Sequence, residues 1–473
     1  MNLDNFLLMR HELLLTAAAL LVLMAEIFVH PSKKKDIGIL SVTIMALITV
    51  IGFIPVPEGT LFGGMYISSA TRTLMKNILN IGALLVFIQS VTWLKKRENA
   101  ERISEYFILL ISTLAGMNFM IAAGHFLMFY IGLELATIPI AALSAYERYR
   151  NKSAEAGIKL ILSSALSSGI LLYGLSMIYA TTGSFYFSEV ASHINNSNLQ
   201  ILGFIFFFAG MAFKISIVPF HLWTADVYEG SPVNITSYLS VISKGAAIFI
   251  LIIILFTVFP VILATWQKTI YVTSVLTMTI GNLFAIRQQN LKRFLAFSSI
   301  SQAGYILLGI IGGNQLGMAS VIYYILVYIF SNLGAFGVVA AVANASGKEN
   351  IDDYNGLYHT NPRLSLVMTL ALFSLAGIPP VAGFFGKFFL FTAAAAKGFY
   401  LLVFIAVLNT IISLYYYLLV VKAMFINKNE AAIGKFRSDF LTKLGLGICV
   451  AGIAATGFAS TLFEMIKSMS FGI

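Results

Sequence analysis

"FKISIVPFHLWTADVYEGSP", residues 213–232, follows directly on the apolar run "LQILGFIFFFAGMAF" at 199–213. The run reads as the first part of a membrane helix. Lys214 then stands where a charged residue at the bilayer centre costs about 2.5–3.5 kcal/mol. Pro219, five residues on, leaves a backbone carbonyl without its partner. A helix that carries both is expected to be broken at membrane depth, with the lysine and the freed backbone facing protein or water.

The rest of the chain has the same character. Of 473 residues, 59% are hydrophobic and 11% charged, against about 25% charged in soluble domains. The apolar runs last about 18–25 residues, enough to span a bilayer core of about 30 Å as helix. Outer-membrane barrels have segments of roughly 10 residues with alternating polarity, a different pattern. The expected fold is all-α: a single polytopic membrane domain covering 1–473. The one cysteine, Cys449, forms no internal disulfide and supplies no thiolate cage for zinc or iron–sulfur. A net charge of +10 is explained by basic loops rather than nucleic acid. No P-loop, zinc motif or nucleotide fingerprint in its required context is present, so no cofactor is expected in this chain. The start, "MNLDNFLLMRHELLL", lacks a signal peptide's basic region and cleavage site, and the first helix is expected to be retained.

The runs divide into about fourteen spans. The first three lie in 1–103; further groups cover 104–259 and 269–424, and a last span covers 441–464. The stretch 364–397 is too long for a simple span and contains "AGIPPVAGFFGK", so it reads as a second broken helix. Breaks in the seventh and twelfth spans, five apart, suggest two inverted five-helix repeats. Roughly 20 basic residues, among them Arg97 and Lys292, fall in loops on one side, and about six, including Arg72 and Lys76, on the other. The positive-inside rule then puts the basic loops in the cytoplasm and both termini outside. Glu12 and Glu26 lie near the ends of the first span, where reaching water is easy.

Four lysines remain inside spans: Lys159, Lys214, Lys244 and Lys387. Each is a titratable lysine and none is an arginine, which stays charged and cannot carry a proton. Glu134, in "MFYIGLELATIPIAAL", is the natural counter-charge for Lys214, since neither is tolerated alone in low dielectric. An inert structural pair is the alternative. Lys159, about one turn into its helix, either snorkels to the interface or takes part in transfer. His221 either relays a proton or bonds a freed carbonyl. Asp226 and Glu229 are expected in a loop, solvated or on a contact surface, and His125 at an interface.

Five segments carry a resemblance: "MFYIGLELATIPIAAL", "SAEAGIKLILSSALSSGILLYG", the 213–249 block, "RQQNLKRFLAFSSISQAGYILLGI" and "LALFSLAGIPPVAGFFGKFFLF". They resemble the antiporter-like membrane subunits of bacterial respiratory complex I, NADH:quinone oxidoreductase. Within that family "GLEL", "SKGAA" and "ADVYEGSP" are most similar to the subunit N branch. The resemblance implies a multi-pass inner-membrane subunit that translocates protons, coupled to electron transfer in other subunits. It implies that Glu134 pairs with Lys214, that Lys244 is central, and that Lys387 lies on the route to the far side. Lys159 matches a family lysine. Implied partners are a neighbouring antiporter-like subunit M, small subunits J and K, lipid and protons. Relatives often carry a histidine where this chain has Gln302, so water is expected to serve that section. An Mrp-type cation/proton antiporter subunit is the alternative, and a membrane scaffold a third reading.

Overall fold

The computed structural model describes residues 6–96, 98–428, 433–458 and 460–469. Arg97, counted above among the loop cations, lies outside them. The helices are α1 Arg10–Phe28, α2 Ile37–Gly52, α3 Ala70–Leu94, α4 Ile103–Ala122, α5 Phe126–Ser144 and α6 Asn151–Thr182. Then come α7 Asn198–Ile215, α8 Leu222–Gly230, α9 Val233–Thr257, α10 Leu263–Ala285, α11 Leu291–Ile311 and α12 Gln315–Ser346. The chain closes with α13 Pro362–Ala376, α14 Ala382–Ala395, α15 Tyr400–Phe425, α16 Phe440–Phe458 and α17 Ser460–Ser468. A short hairpin, β1 Gly59–Leu61 and β2 Tyr66–Ser68, pairs antiparallel with Gly59 opposite Ser68.

Polar side chains set several helix starts by satisfying free N–H groups. Ser69 accepts from Arg72 N at α3, Ser197 from Gln200 N at α7, and Asn290 from both Lys292 N and Arg293 N at α11. Among the described residues, twelve helices are long and apolar enough to cross a membrane. The expected fourteen counted two more. One is α10, whose 23 residues are less apolar; the other is the 364–397 stretch, which forms two shorter apolar helices, α13 and α14.

Helices α9, α11 and α12 form the centre and are buried almost end to end. Helix pairs α4/α5, α6/α7 and α10/α11 pack side by side, and α13, α14 and α16 lean on α12. Small residues allow the closest approach: a Cβ on Gly116 of α4 would lie 2.5 Å from the Ala136 nitrogen of α5. Outer helices turn Leu20, Phe28, Leu162, Leu166, Phe404 and Ile411 outward.

Both expected breaks are present and built alike. Helix α7 ends at Ser216 with φ 67°, and α13 ends at Gly377 with φ 85°. Such left-handed caps end a helix while letting the next N–H groups reach back to the last carbonyls. Val218–Pro219 and Pro379–Pro380 are cis. At the second break the chain folds so tightly that a Cβ on Gly383 would lie 1.7 Å from the Ser374 carbonyl oxygen, so only glycine fits.

Four charges are not where the sequence reading put them. Glu12 does not reach water. It is 1% exposed and paired with Lys76, 3% exposed, at 2.6 Å. Tyr66 completes the group, accepting from Lys76 at 2.9 Å and donating to Glu12 at 3.0 Å. Lys76 and Arg72 lie within α3 and are buried. Lys292 is fully buried, donating to the Ser231 carbonyl at 3.1 Å and pairing with Glu349 at 3.2 Å. Each side chain near a helix end folds inward because a counter-charge or carbonyl offsets its desolvation there.

Candidate functional site

Glu134 and Thr137 stand one turn apart on α5, on one face because helical residues three apart are neighbours. Pro139, two residues later, lacks an N–H and so disturbs the ladder beside them. Lys214, at the last turn of α7, donates to Thr137 Oγ1 at 2.6 Å. Glu134 instead accepts from Ser168 of α6 at 2.5 Å, with Tyr130 against the same carboxylate. The two charges are therefore brought to one place but not into contact: among the described residues, no ion pair joins them. Lys214 is held by a hydroxyl instead. Thr137 donates its only hydroxyl proton to the Leu133 carbonyl at 2.5 Å, so toward Lys214 it acts as acceptor.

Lys244 lies on α9 immediately after a π-turn at Leu239–Ser243, a feature found frequently at functional sites. It is 2% exposed and donates to Ser299 of α11 twice, to the carbonyl at 3.2 Å and to Oγ at 3.0 Å. Lys387, on α14 just after the second break, is 3% exposed. It donates to the Ala376 carbonyl at 3.0 Å and sits 4.5 Å from the Tyr305 ring centroid. Ala376 is the last residue of α13, and its carbonyl is free because the helix stops there. Among the described residues, neither lysine has a carboxylate within ion-pair distance.

Between these lysines runs a line of neutral polar groups. Next to Ser299, Ser298 Oγ lies 2.5 Å from Tyr417 OH. Gln302 donates to Tyr417 OH at 3.2 Å and to the Leu375 carbonyl at 3.1 Å, and accepts from Tyr324 OH. The next carbonyl along the chain, that of Ala376, holds Lys387. Gln302 is thus a member of this line of polar groups.

Lys159 lies elsewhere, in a charge cluster. It pairs with Glu155 at 2.6 Å and Asp226 at 2.7 Å, while Arg293 binds Asp226 at 2.7 Å and Glu229 at 3.1 Å, and Lys152 binds Glu229 at 2.9 Å. Asp226 and Glu229 are accordingly not loop residues in solvent. They sit on α8 and clamp it to α6 and α11, because α8 offers both carboxylates on one side, three residues apart. Burial alone raises the Asp226 carboxyl, but hydrogen bonds from Lys159 and Arg293 outweigh it and hold the group below the usual carboxylate range. His221 sits against the Pro219 carbonyl, the partner that the capping alternative requires. His125 caps α5, its Nδ1 accepting from Leu127 N at 3.0 Å. No group of three or more His, Cys, Asp or Glu residues able to hold a metal occurs among the described residues.

Sequence reading missed the uncharged members: Thr137, Ser168, Ser299, Tyr305, Tyr324 and Tyr417. The tyrosines had a signal. "YYILVY" and "LYYYL" put phenols into helices buried in an apolar chain, where a hydroxyl needs a partner.

Residues 123–413 match the family model described as NADH:quinone oxidoreductase/Mrp antiporter, TM. A protein of Phocaeicola vulgatus named NADH-quinone oxidoreductase subunit N is 52% identical over 468 residues, covering 99% of each chain. The chain belongs to the NADH-quinone oxidoreductase subunit N family. A second such protein, from Azobacteroides pseudotrichonymphae, is 50% identical over 477 residues, covering 100% of this chain and 99% of its own. Among solved structures, respiratory complex I of Thermus thermophilus holds a chain with TM-score 0.82 and 25% identity, over 97% of this chain and 100% of that one. A chain of the Mrp complex of Dietzia sp. superposes with TM-score 0.87 over 99% and 97%. At 21% identity that likeness speaks for the fold alone, so its higher score does not favour an antiporter over the family that the sequence names.

Proposed function

We propose that this chain is the proton-translocating membrane subunit of an NADH:quinone oxidoreductase, in which Glu134, Lys214, Lys244 and Lys387 carry protons while electrons pass in other subunits. The observation that carries the reading is the state of Lys244 and Lys387. Both are buried, both are held, among the described residues, by neutral oxygens and a ring, and polar side chains run between them. A permanent charge so placed would be costly. A group that loads and unloads a proton is not bound by that cost throughout its cycle.

The mechanism is electrostatic. With Glu134 paired to it, Lys214 keeps its proton; drawn off to Thr137, it loses its counter-charge and yields the proton. Lys244 and Lys387 pass it on, and re-pairing with Glu134 resets the site. Lys159 and His221 join this reading as secondary positions, Lys159 through its cluster and His221 at the first break. The subunit would sit in the bacterial inner membrane with basic loops in the cytoplasm and both termini outside, against a subunit M and the small subunits J and K. Family membership at about half identity supports the complex, and the buried lysines support the carriage. Measuring protons pumped per NADH in membranes bearing Lys244→Ala or Lys387→Ala tests it. Pumping is expected to collapse with the complex assembled, and undiminished pumping would refute the carrier roles.

A further inference from the structure

A cavity of about 300 Å³ opens at the basic-loop end of the second half of the chain. Its mouth carries Gln288, Asp352, Lys422 and Asn427, and its inner wall is Tyr416 of α15. Tyr416 stands nine residues inside the end of α15 at Phe425, or about 14 Å at 1.5 Å per residue. That is nearly half of a bilayer core of about 30 Å. A crevice facing lipid would be apolar, whereas charges and amides of both signs mark one that takes water.

The inner wall does not end in apolar packing. Tyr416, 1% exposed, donates to Asn282 Oδ1 at 2.9 Å, and Asn282 Nδ2 donates to Tyr305 OH at 3.2 Å. Tyr305 is the ring on which Lys387 rests. Ser413, one turn deeper than Tyr416 on α15, also reaches Tyr305. From the basic-loop face to Lys387 there is thus a cavity with charged and amide groups at its mouth and apolar walls, then a phenol, an amide and a second phenol. Neither Tyr416 nor Asn282 belongs to the line of polar groups described between Lys244 and Lys387.

We propose that this cavity is a second proton entrance, which loads Lys387 from the basic-loop face, and that the Tyr416–Asn282 hydrogen bond is its latch. Asn282 is a positioning residue: its amide holds the two hydroxyls in place and blocks water from Tyr305 until Tyr416 swings away. Protons then move through water and the Tyr305 hydroxyl to Lys387. The inference rests on Lys387 being a carrier, as proposed above.

Thiol labelling tests it on the assembled complex in sealed membrane vesicles. The chain's one cysteine, Cys449, is buried, which leaves a quiet background, and Ser274→Cys, buried on α10 away from the cavity, is the control. A membrane-impermeant methanethiosulfonate is applied from each face in turn. Leu419→Cys in the cavity wall is expected to react from the basic-loop face, and Ser413→Cys from the same face. Adding Tyr416→Phe should speed the Ser413→Cys reaction roughly two- to tenfold, the worth of one hydrogen bond. Ser413→Cys reacting only from the opposite face, or not at all in either background, would overturn the entrance; equal rates in both would overturn the latch. Proton pumping separates the two levels. Lys387→Ala without effect overturns the carrier reading itself. Lys387→Ala that stops pumping, beside a labelled Leu419→Cys that pumps normally, overturns only the entrance.

Discussion

Thr137→Val removes one hydroxyl and leaves the shape of the side chain nearly unchanged. Lys214 then loses its 2.6 Å acceptor, while Glu134 keeps Ser168. A hydrogen bond to a charged group contributes about 1.5–3 kcal/mol, and about 1.4 kcal/mol is tenfold in an equilibrium. The separated arrangement should therefore lose roughly 10- to 150-fold in population relative to the direct Glu134–Lys214 pair. If proton release proceeds from the separated arrangement, its rate falls by up to that factor. Protons pumped per NADH, measured in inverted vesicles beside NADH oxidation, should drop at least several-fold. Thr137→Ser, which keeps the hydroxyl, should stay close to the parent. Parent-like pumping by Thr137→Val, with normal assembly, would mean that the hydroxyl merely fills space and that the pair does not work by separation.

Gln302→Leu should leave the Tyr324 hydroxyl without its acceptor while Tyr417 keeps Ser298, costing about 1–3 kcal/mol for the orphaned group, and should impair pumping; Gln302→His should retain more of it. Lys76→Met strands the Glu12 carboxylate and is expected to destabilise the folded chain by about 3–5 kcal/mol in mixed-micelle unfolding, whereas Glu12→Leu with Lys76→Met should recover most of the loss. Because the Asp226 and Glu229 carboxyls are both held below their usual range in the folded chain, their contribution is complete above the ordinary carboxylate pKa of about 4. It is lost as pH falls through the lower folded values. Protease protection of α8 should accordingly be flat from neutral pH down to about 5, and Arg293→Gln should weaken it at every pH in that range.

The sequence made the breaks legible because proline, glycine and an intramembrane lysine are each costly in a spanning helix, and together they leave few alternatives. Lys214, Lys244 and Lys387 stood out for the same reason. What stayed hidden was of two kinds. Charges near helix ends, such as Glu12, Lys76 and Lys292, look identical in sequence whether they turn out to water or inward to a partner; only the fold decides. Hydroxyls and amides, such as Thr137, Ser299 and Asn282, cost little to place and so leave little mark. Their importance comes from standing beside a lysine or beside the group that touches one, and adjacency across helices is not written in any one helix.

The π-turn ahead of Lys244 has a consequence for how this lysine chooses its neighbours. One additional residue in a helix rotates all that follows by about 100°. Were Leu239–Ser243 to tighten into ordinary helix, the part of α9 bearing Lys244 would turn relative to the part before it, without either end of the helix having to leave its loop. The ammonium would then come away from Ser299. A helix gripped on all sides by its neighbours can in this way act as a rotary selector, redirecting one charge by exchanging one pattern of backbone bonds for another.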